Sequence, residues 1–263
     1  MVSALSIFFI IFNMIFALAL PTVMAIVIKK RYKGSLAVFF IGCAVWVVFA
    51  IVLEQMMHIV VLTVLPVGKV IQNNIWLYGI YGGLAAGVFE ETGRFLAMKF
   101  TMKKHYGNPY NAIMYGAGHG GFEAFFILGT GMLNSLIYAI LINTNQTQLL
   151  LGPLDETQRA SVQAVLNNLI ETPSHMLLLG DVERISAVIL HIALSVLVWA
   201  AVVKGKKLWY LLAIFIHFLV DASIVIINSY GFSVWGLELI IFGMSIAVAA
   251  IAGKVWKTFN TKE

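Results

Sequence analysis

Residues 75–100 read IWLYGIYGGLAAGVFEETGRFLAMKF, an apolar run interrupted by two adjacent carboxylates and a guanidinium. The interruption is Phe89-Glu90-Glu91-Thr92-Gly93-Arg94. An ionised side chain at the centre of a lipid bilayer costs at least about 2.5–3.5 kcal/mol on insertion scales. Charges inside a segment that crosses the membrane therefore indicate a buried polar site, which the other segments of the chain would surround.

The composition around this run is that of a polytopic membrane protein. The chain has 263 residues, of which 61% are hydrophobic and only 11% are charged. Such a composition leaves little sequence for a soluble domain. We predict an all-α fold: a polytopic integral membrane helical bundle that forms a single membrane domain over residues 1–263, with the lipid bilayer as its surroundings.

Seven apolar segments are long enough to cross a bilayer. They cover residues 3–28, 36–53, 75–100, 111–142, 185–203, 208–227 and 234–252. Between the fourth and the fifth lies the most polar stretch, residues 143–183, in which apolar side chains recur at helical spacing from Val162 to Ile170. This stretch predicts an extracytoplasmic loop with an amphipathic helix.

The basic residues predict the orientation of the bundle. Of the 17 Lys and Arg residues, thirteen would lie on one side of the seven spans. Because cytoplasmic loops are enriched in Lys and Arg, the amino terminus is predicted outside and the carboxyl terminus in the cytoplasm. The same topology explains the net charge of +5, so nucleic acid is not expected as a partner.

Four of the spans carry polar side chains four residues apart, a spacing that places both on one helix face. The pairs are Glu90 with Arg94, His119 with Glu123, His191 with Ser195 and His217 with Asp221. Polar side chains in lipid turn toward the bundle interior. Four such faces at similar depth predict one buried site. Glycines flank the motifs and would let the helices approach closely: Gly82, Gly83, Gly87, Gly116, Gly118, Gly120 and Gly121.

Such a group of side chains suits the hydrolysis of a peptide bond. Glu90 or Glu91 would act as general base on a water molecule, and His191 and His217 would hold that water or stabilise the oxyanion. The group could instead ligate a divalent metal such as zinc, with His119, Glu123, His191 and His217 as candidate ligands. Because no HExxH motif is present, the residues slightly favour the metal-free form.

These motifs resemble those of the YhfC-type membrane proteins, which are related to the CAAX-prenyl endopeptidase and PrsW-like intramembrane proteases. That superfamily builds a glutamate-dependent proteolytic centre from a diacidic EExxxR or EExxK motif and later HxxxN- or HxxxD-type motifs. The resemblance implies that Glu90 and Glu91 are the diacidic pair, Arg94 its basic partner, and His217 with Asp221 the HxxxD motif.

The resemblance further implies an intramembrane endopeptidase of the glutamic type in the bacterial plasma membrane, acting on a membrane protein or peptide. The sequence departs from the family pattern at two points. The diacidic motif is spaced EExxR, and the chain has His119-Gly120-Gly121-Phe122-Glu123 where FxxxH or FxxxE is expected. The predicted catalytic residues are Glu90, Glu91, Arg94, His119, Glu123, His191, His217 and Asp221.

Two other functions stay open on the sequence alone. A proton-coupled membrane transporter could use the same histidines and carboxylates to relay protons or bind a solute. A non-catalytic membrane immunity or interaction protein could keep them as a polar scaffold. The histidines outside the motifs, His58, His105 and His175, fall in predicted connections and are expected to be solvated.

Overall fold

The computed structural model describes residues 1–259, and every regular element within them is helical. The α-helices are α1 (Ala4–Tyr32), α2 (Leu36–Trp46), α3 (Gln55–His58), α4 (Val67–Gln72), α5 (Ile75–Phe100), α6 (Tyr110–Asn143), α7 (Gln148–Leu151), α8 (Glu156–Glu171), α9 (Leu179–Val203), α10 (Leu208–Ser229) and α11 (Val234–Lys257). The predicted all-α class is therefore confirmed.

Within residues 1–259, six helical segments are long and apolar enough to cross a membrane: Ala4–Tyr32, Leu36–Val64, Tyr110–Asn143, Ser174–Val203, Leu208–Ser229 and Val234–Lys257. The other predicted span is α5, one helix of 26 residues, about 39 Å long at the usual rise. Its glycines and its charges at Glu90, Glu91 and Arg94 make it less apolar than those six. The polytopic membrane architecture is confirmed, and the orientation stays a prediction.

The second span is longer than predicted. It is helical from Leu36 to Val64, with π-helical stretches at Val47–Glu54 and Ile59–Val64. The sequence placed its end at residue 53 because Glu54 and His58 are polar. The two side chains contact each other instead, with 3.2 Å between Nε2 of His58 and Oε1 of Glu54. The prediction that His58 is a solvated residue of a connection is therefore wrong.

The chain divides into two compact units. One unit consists of Met1–Leu20 and Ala124–Arg184. Within it, the amide of Asn143 holds the start of the chain: Val2 N–H donates to Oδ1 at 2.8 Å, and Nδ2 donates to Val2 O at 3.0 Å. Asp155 caps the start of helix α8 of this unit, because its side chain accepts from the Gln158 N–H at 2.8 Å. Its extracytoplasmic location stays a prediction.

The other unit contains Pro21–Glu123 and the chain from Ile185 onward, and it holds every predicted site residue. Glycines bring its helices close together. A Cβ on Gly83 of α5 would lie 2.5 Å from the backbone oxygen of Phe218 in α10. A Cβ on Gly120 of α6 would lie 2.7 Å from Cβ of His191 in α9. A side chain at either glycine would separate helices that carry site residues.

Candidate active site

Glu90 lies at the centre of a polar network contributed by four helices. Its Oε2 is 2.7 Å from Nε2 of His119 and 4.0 Å from Nδ1 of His191. Helix α5 supplies Glu90, α6 supplies His119 and α9 supplies His191. The centroids of the two imidazole rings are 4.9 Å apart. All three side chains are buried, so their polar atoms depend on one another rather than on water.

His191 uses both of its ring nitrogens. Nδ1 lies 3.0 Å from NH2 of Arg94, and Nε2 lies 2.7 Å from Oε2 of Glu123. Because a guanidinium only donates hydrogen bonds, Nδ1 accepts from Arg94, and Nε2 carries the ring proton on the side of Glu123. Arg94 therefore fixes the tautomer of His191.

Glu91 and Arg94 form a fully buried ion pair that also orients His217. Oε1 of Glu91 accepts from the Arg94 guanidinium and, at 2.9 Å, from Nδ1 of His217. Burying a charge requires a partner of this kind, since an unpaired charge in the interior is strongly unfavourable. With Nδ1 held by Glu91, Nε2 of His217 is directed to Oδ2 of Asp221 at 3.5 Å.

The side chains of the network differ in their exposure. Glu91, Arg94 and His119 are 0% exposed, whereas Glu90 and Glu123 are 9% and 12% exposed. Asp221, at 35%, is the most exposed of these.

All eight predicted site residues lie in this one network: Glu90, Glu91, Arg94, His119, Glu123, His191, His217 and Asp221. Apart from His217 with Asp221, the side chains have partners other than those that the helical spacing suggested. Arg94 pairs with Glu91 rather than Glu90, because Glu90 turns to His119 on another helix. Ser195 takes no part, since its Oγ donates to the backbone oxygen of His191 at 2.7 Å. The catalytic roles of the eight stay predictions.

Sequence reasoning missed Glu54, His58 and Tyr81, which join in a hydrogen-bonded chain. Glu54 and His58 are four residues apart, the same spacing as the other motifs. That signal was present but was assigned to a connection. Tyr115 was also missed: its ring stacks on His119 with centroids 5.9 Å apart.

Three residues of the network could hold a metal ion, and they are Glu90, His119 and His191. One ligand atom from each lies within 4.8 Å of the other two. Imidazole nitrogens and carboxylate oxygens are zinc ligands, and three of them with one open position are typical of catalytic zinc. Of the ligands that the sequence suggested, two belong to this group, and Glu90 takes the third place.

The polar contacts of these residues suit a metal in part. The lone pair of His191 lies on Nδ1, the nitrogen nearer Glu90, where it accepts from Arg94, so a metal at Nδ1 would have to replace that hydrogen bond; the Nε2–H side of the ring lies against the Glu123 carboxylate. Histidines that bind metals commonly donate their other ring N–H to a carboxylate in this way. Nε2 of His119 and Oε2 of Glu90 are close enough to share a proton. A cation bound by both atoms would replace that proton.

Comparison with known proteins identifies the family of the chain. A model of the family described as "YhfC intramembrane metalloprotease" matches residues 16–245, which include the whole network. The "Uncharacterized membrane protein YhfC" of Bacillus subtilis strain 168 is 39% identical over 227 residues, which cover 86% of each chain. No solved structure matches the chain. The protein is therefore an integral membrane protein that belongs to the YhfC family of intramembrane metalloproteases.

Proposed function

We propose that this protein is an intramembrane endopeptidase that hydrolyses peptide bonds in membrane-associated peptides or proteins. Glu90, His119 and His191 would hold a divalent metal such as zinc. The observation that carries the proposal is the convergence of these three ligand side chains in a buried cluster. The membership of a metalloprotease family supports it.

A divalent ion in this position would polarise the scissile carbonyl and lower the pKa of a nearby water molecule. His217 is suited to move the proton. Glu91 holds its Nδ1–H, so Nε2 is the atom that takes a proton from the water and passes it to the leaving nitrogen. The water oxygen bonds to the carbonyl carbon, the C–N bond breaks, and the amine leaves with that proton.

Glu90, rather than Glu91, is the proposed reactive member of the adjacent pair. Oε1 of Glu91 already accepts from Arg94 and His217, and its side chain is fully buried. Glu91 is therefore a positioning residue for His217, and Arg94 is one for His191. In a metal-free, glutamic-type reaction, Glu90 would instead act as general base with His119 as its partner.

The substrate is proposed to enter beside Asp221, the most exposed side chain of the network. We further propose that the chain forms a single membrane domain in the bacterial plasma membrane, with its amino terminus outside. Residues 143–183 would then form an extracytoplasmic loop whose amphipathic helix is α8. Labelling of single cysteines in intact cells tests this orientation.

The test of the function compares wild type with Glu90→Gln and His119→Gln in membranes and after purification. Glu183→Gln is the matched control, because this side chain is 46% exposed and lies outside the network. Bound metal is measured by elemental mass spectrometry, and released membrane peptides are measured by peptide mass spectrometry with and without a chelator. We expect about one zinc ion per chain in wild type and in the control.

Both site variants should lose the metal and the cleavage products. A chelator should abolish the products, and added zinc should restore them. Products that persist with the chelator but vanish in Glu90→Gln would instead support the glutamic-type reaction. Identical peptide profiles in wild type and Glu90→Gln would contradict the protease, and a proton flux that Asp221→Asn abolishes would then favour the transporter.

A further inference from the structure

Glu54, His58 and Tyr81 form a polar chain that the proposed reaction does not use. Nε2 of His58 lies 3.2 Å from Oε1 of Glu54, and Nδ1 lies 2.8 Å from the hydroxyl oxygen of Tyr81. The side chains of Glu54 and His58 are only 10% and 20% exposed. Ionisable residues inside a membrane span are costly to bury and are candidates for a functional site. The polar chain of Glu54, His58 and Tyr81 is such a candidate.

The contacts of Tyr81 determine where the protons of His58 lie. The Tyr81 hydroxyl donates to Sδ of Met57 at 2.9 Å, since a thioether sulfur has no proton to give. The hydroxyl oxygen then accepts from Nδ1–H of His58. With Nδ1 protonated, the contact between Nε2 and Glu54 holds one proton, on either side. The pair is neutral while it keeps that proton and carries one negative charge when it is lost.

Two contacts place Glu54 beside the part of α5 that carries Glu90. The Phe49 ring lies against Gly93, where an added Cβ would be 2.5 Å from its Cγ, and His58 contacts Tyr81. The charged and titratable groups near Glu54 are Glu90, Glu123, His217 and Asp221, besides His58 and Tyr81. Three of the four site groups are carboxyls, so a proton between Glu54 and His58 limits the negative charge collected there. A cation that binds beside Glu90 would instead favour the loss of this proton, because positive charge stabilises the ionised form of a neighbouring carboxyl.

The position of the polar chain formed by Glu54, His58 and Tyr81 suggests a path for the proton. Glu54 is the last residue of the π-helical stretch Val47–Glu54, and π-helical turns occur frequently at functional sites. Tyr81 is six residues from the start of α5 at Ile75, whereas Glu90 is fifteen residues from it. These separations correspond to about 9 Å and 22 Å along the helix axis. The polar chain thus extends from the site toward the start of α5 at Ile75.

We propose that Glu54 is a positioning residue of the reaction: with His58 it stores one proton, which leaves when a divalent cation binds Glu90, His119 and His191 and returns when the cation dissociates. This inference rests on the proposed function. The exchange reduces the charge that the buried site gains, since one positive charge leaves as two arrive. Tyr81 holds His58 in the tautomer that the exchange needs.

The experiment counts the protons released when zinc binds. Purified protein in lipid nanodiscs is titrated with zinc chloride by calorimetry, in buffers of different ionisation enthalpy. Wild type is compared with Glu54→Gln, with Glu54→Asp, and with Glu183→Gln as the matched exposed control. We expect wild type and the control to release about one proton per zinc ion more than Glu54→Gln. Glu54→Asp, which keeps a carboxyl, should restore at least part of that proton.

Each outcome has a separate meaning. Equal proton counts in wild type and Glu54→Gln would overturn the inference and leave the metal site standing. A wild type that binds no zinc would overturn the proposed metal site first, and this inference with it. If Glu54→Gln does not fold, Tyr81→Phe carries the test. It should change the pH at which the extra proton leaves, whereas Tyr78→Phe on the exposed side of α5 should not.

Discussion

Arg94→Met tests whether the network is held together as described. The Arg94 guanidinium donates to Glu91 and to Nδ1 of His191, and its side chain is fully buried. Methionine keeps much of the apolar length but leaves the Glu91 carboxylate with His217 as its remaining hydrogen-bond donor. Breaking a buried ion pair by removing one partner costs about 3–5 kcal/mol. We expect Arg94→Met to lower the free energy of unfolding by that amount.

The double variant separates charge from packing. Glu91→Gln removes the carboxylate that Arg94→Met leaves unpaired, so the two changes together should destabilise less than the sum of the single effects. The coupling energy should be about 1–3 kcal/mol, the upper range for residues in one network. The assay is reversible unfolding in mixed micelles with increasing denaturing detergent, followed by circular dichroism.

Lys99→Met is the control for loss of a cation from the same helix. Lys99 lies at the exposed end of α5 and contacts the Phe95 and Phe100 rings. Its replacement should change the free energy of unfolding by about 0.5 kcal/mol or less. If Arg94→Met resembles this control, or if the two site changes simply add, the buried ion pair does not stabilise the site and the reasoning is refuted.

Two further predictions concern packing and pH. Gly120→Ala should lower the free energy of unfolding by about 1–3 kcal/mol, because its Cβ would lie 2.7 Å from Cβ of His191; Gly82→Ala, with nothing within 4 Å, should not. Burial and the neighbouring Lys104 lower the pKa of His105, which lies outside the spans. The unfolded chain then binds more protons, so stability should fall as the pH drops through the ordinary histidine pKa. In a nuclear magnetic resonance titration, the midpoint of His105 should lie below that of a histidine in a peptide. His105→Gln should reduce the loss of stability on the acid side of the pH curve. A titration midpoint at or above the peptide value would contradict this prediction.

The location of the site could be predicted because charges are informative inside apolar segments. Glu90, His119, His191 and His217 stand out for that reason, and the structure brings them together. The partners could not be predicted from spacing alone. Side chains four apart share a helix face, yet His119 contacts Glu90 of α5. Which groups meet across helices depends on the rotation of each helix, and close contacts at glycines such as Gly120 help to set it.

Glu54 and His58 were missed because polar residues were assumed to end a span. That assumption holds only when such residues need water to satisfy their hydrogen bonds. Here Glu54 and His58 satisfy each other, and Tyr81 completes the chain, so the helix continues to Val64. A polar pair at four-residue spacing can therefore lie inside a span as easily as end one. The sequence alone does not distinguish these cases, because the third partner comes from another helix.

The charges of the two networks connect the metal proposal with the proton proposal. The two networks contain five carboxyl side chains, Glu54, Glu90, Glu91, Glu123 and Asp221, against the single guanidinium of Arg94. In a low-dielectric interior, the negative charge of the extra carboxyl groups must be compensated by bound protons or by a bound cation. Protons on the histidines and carboxyls supply the first kind of compensation, and a divalent ion at Glu90 supplies the second. Because the two compete, a site that binds the ion must release protons as it does so.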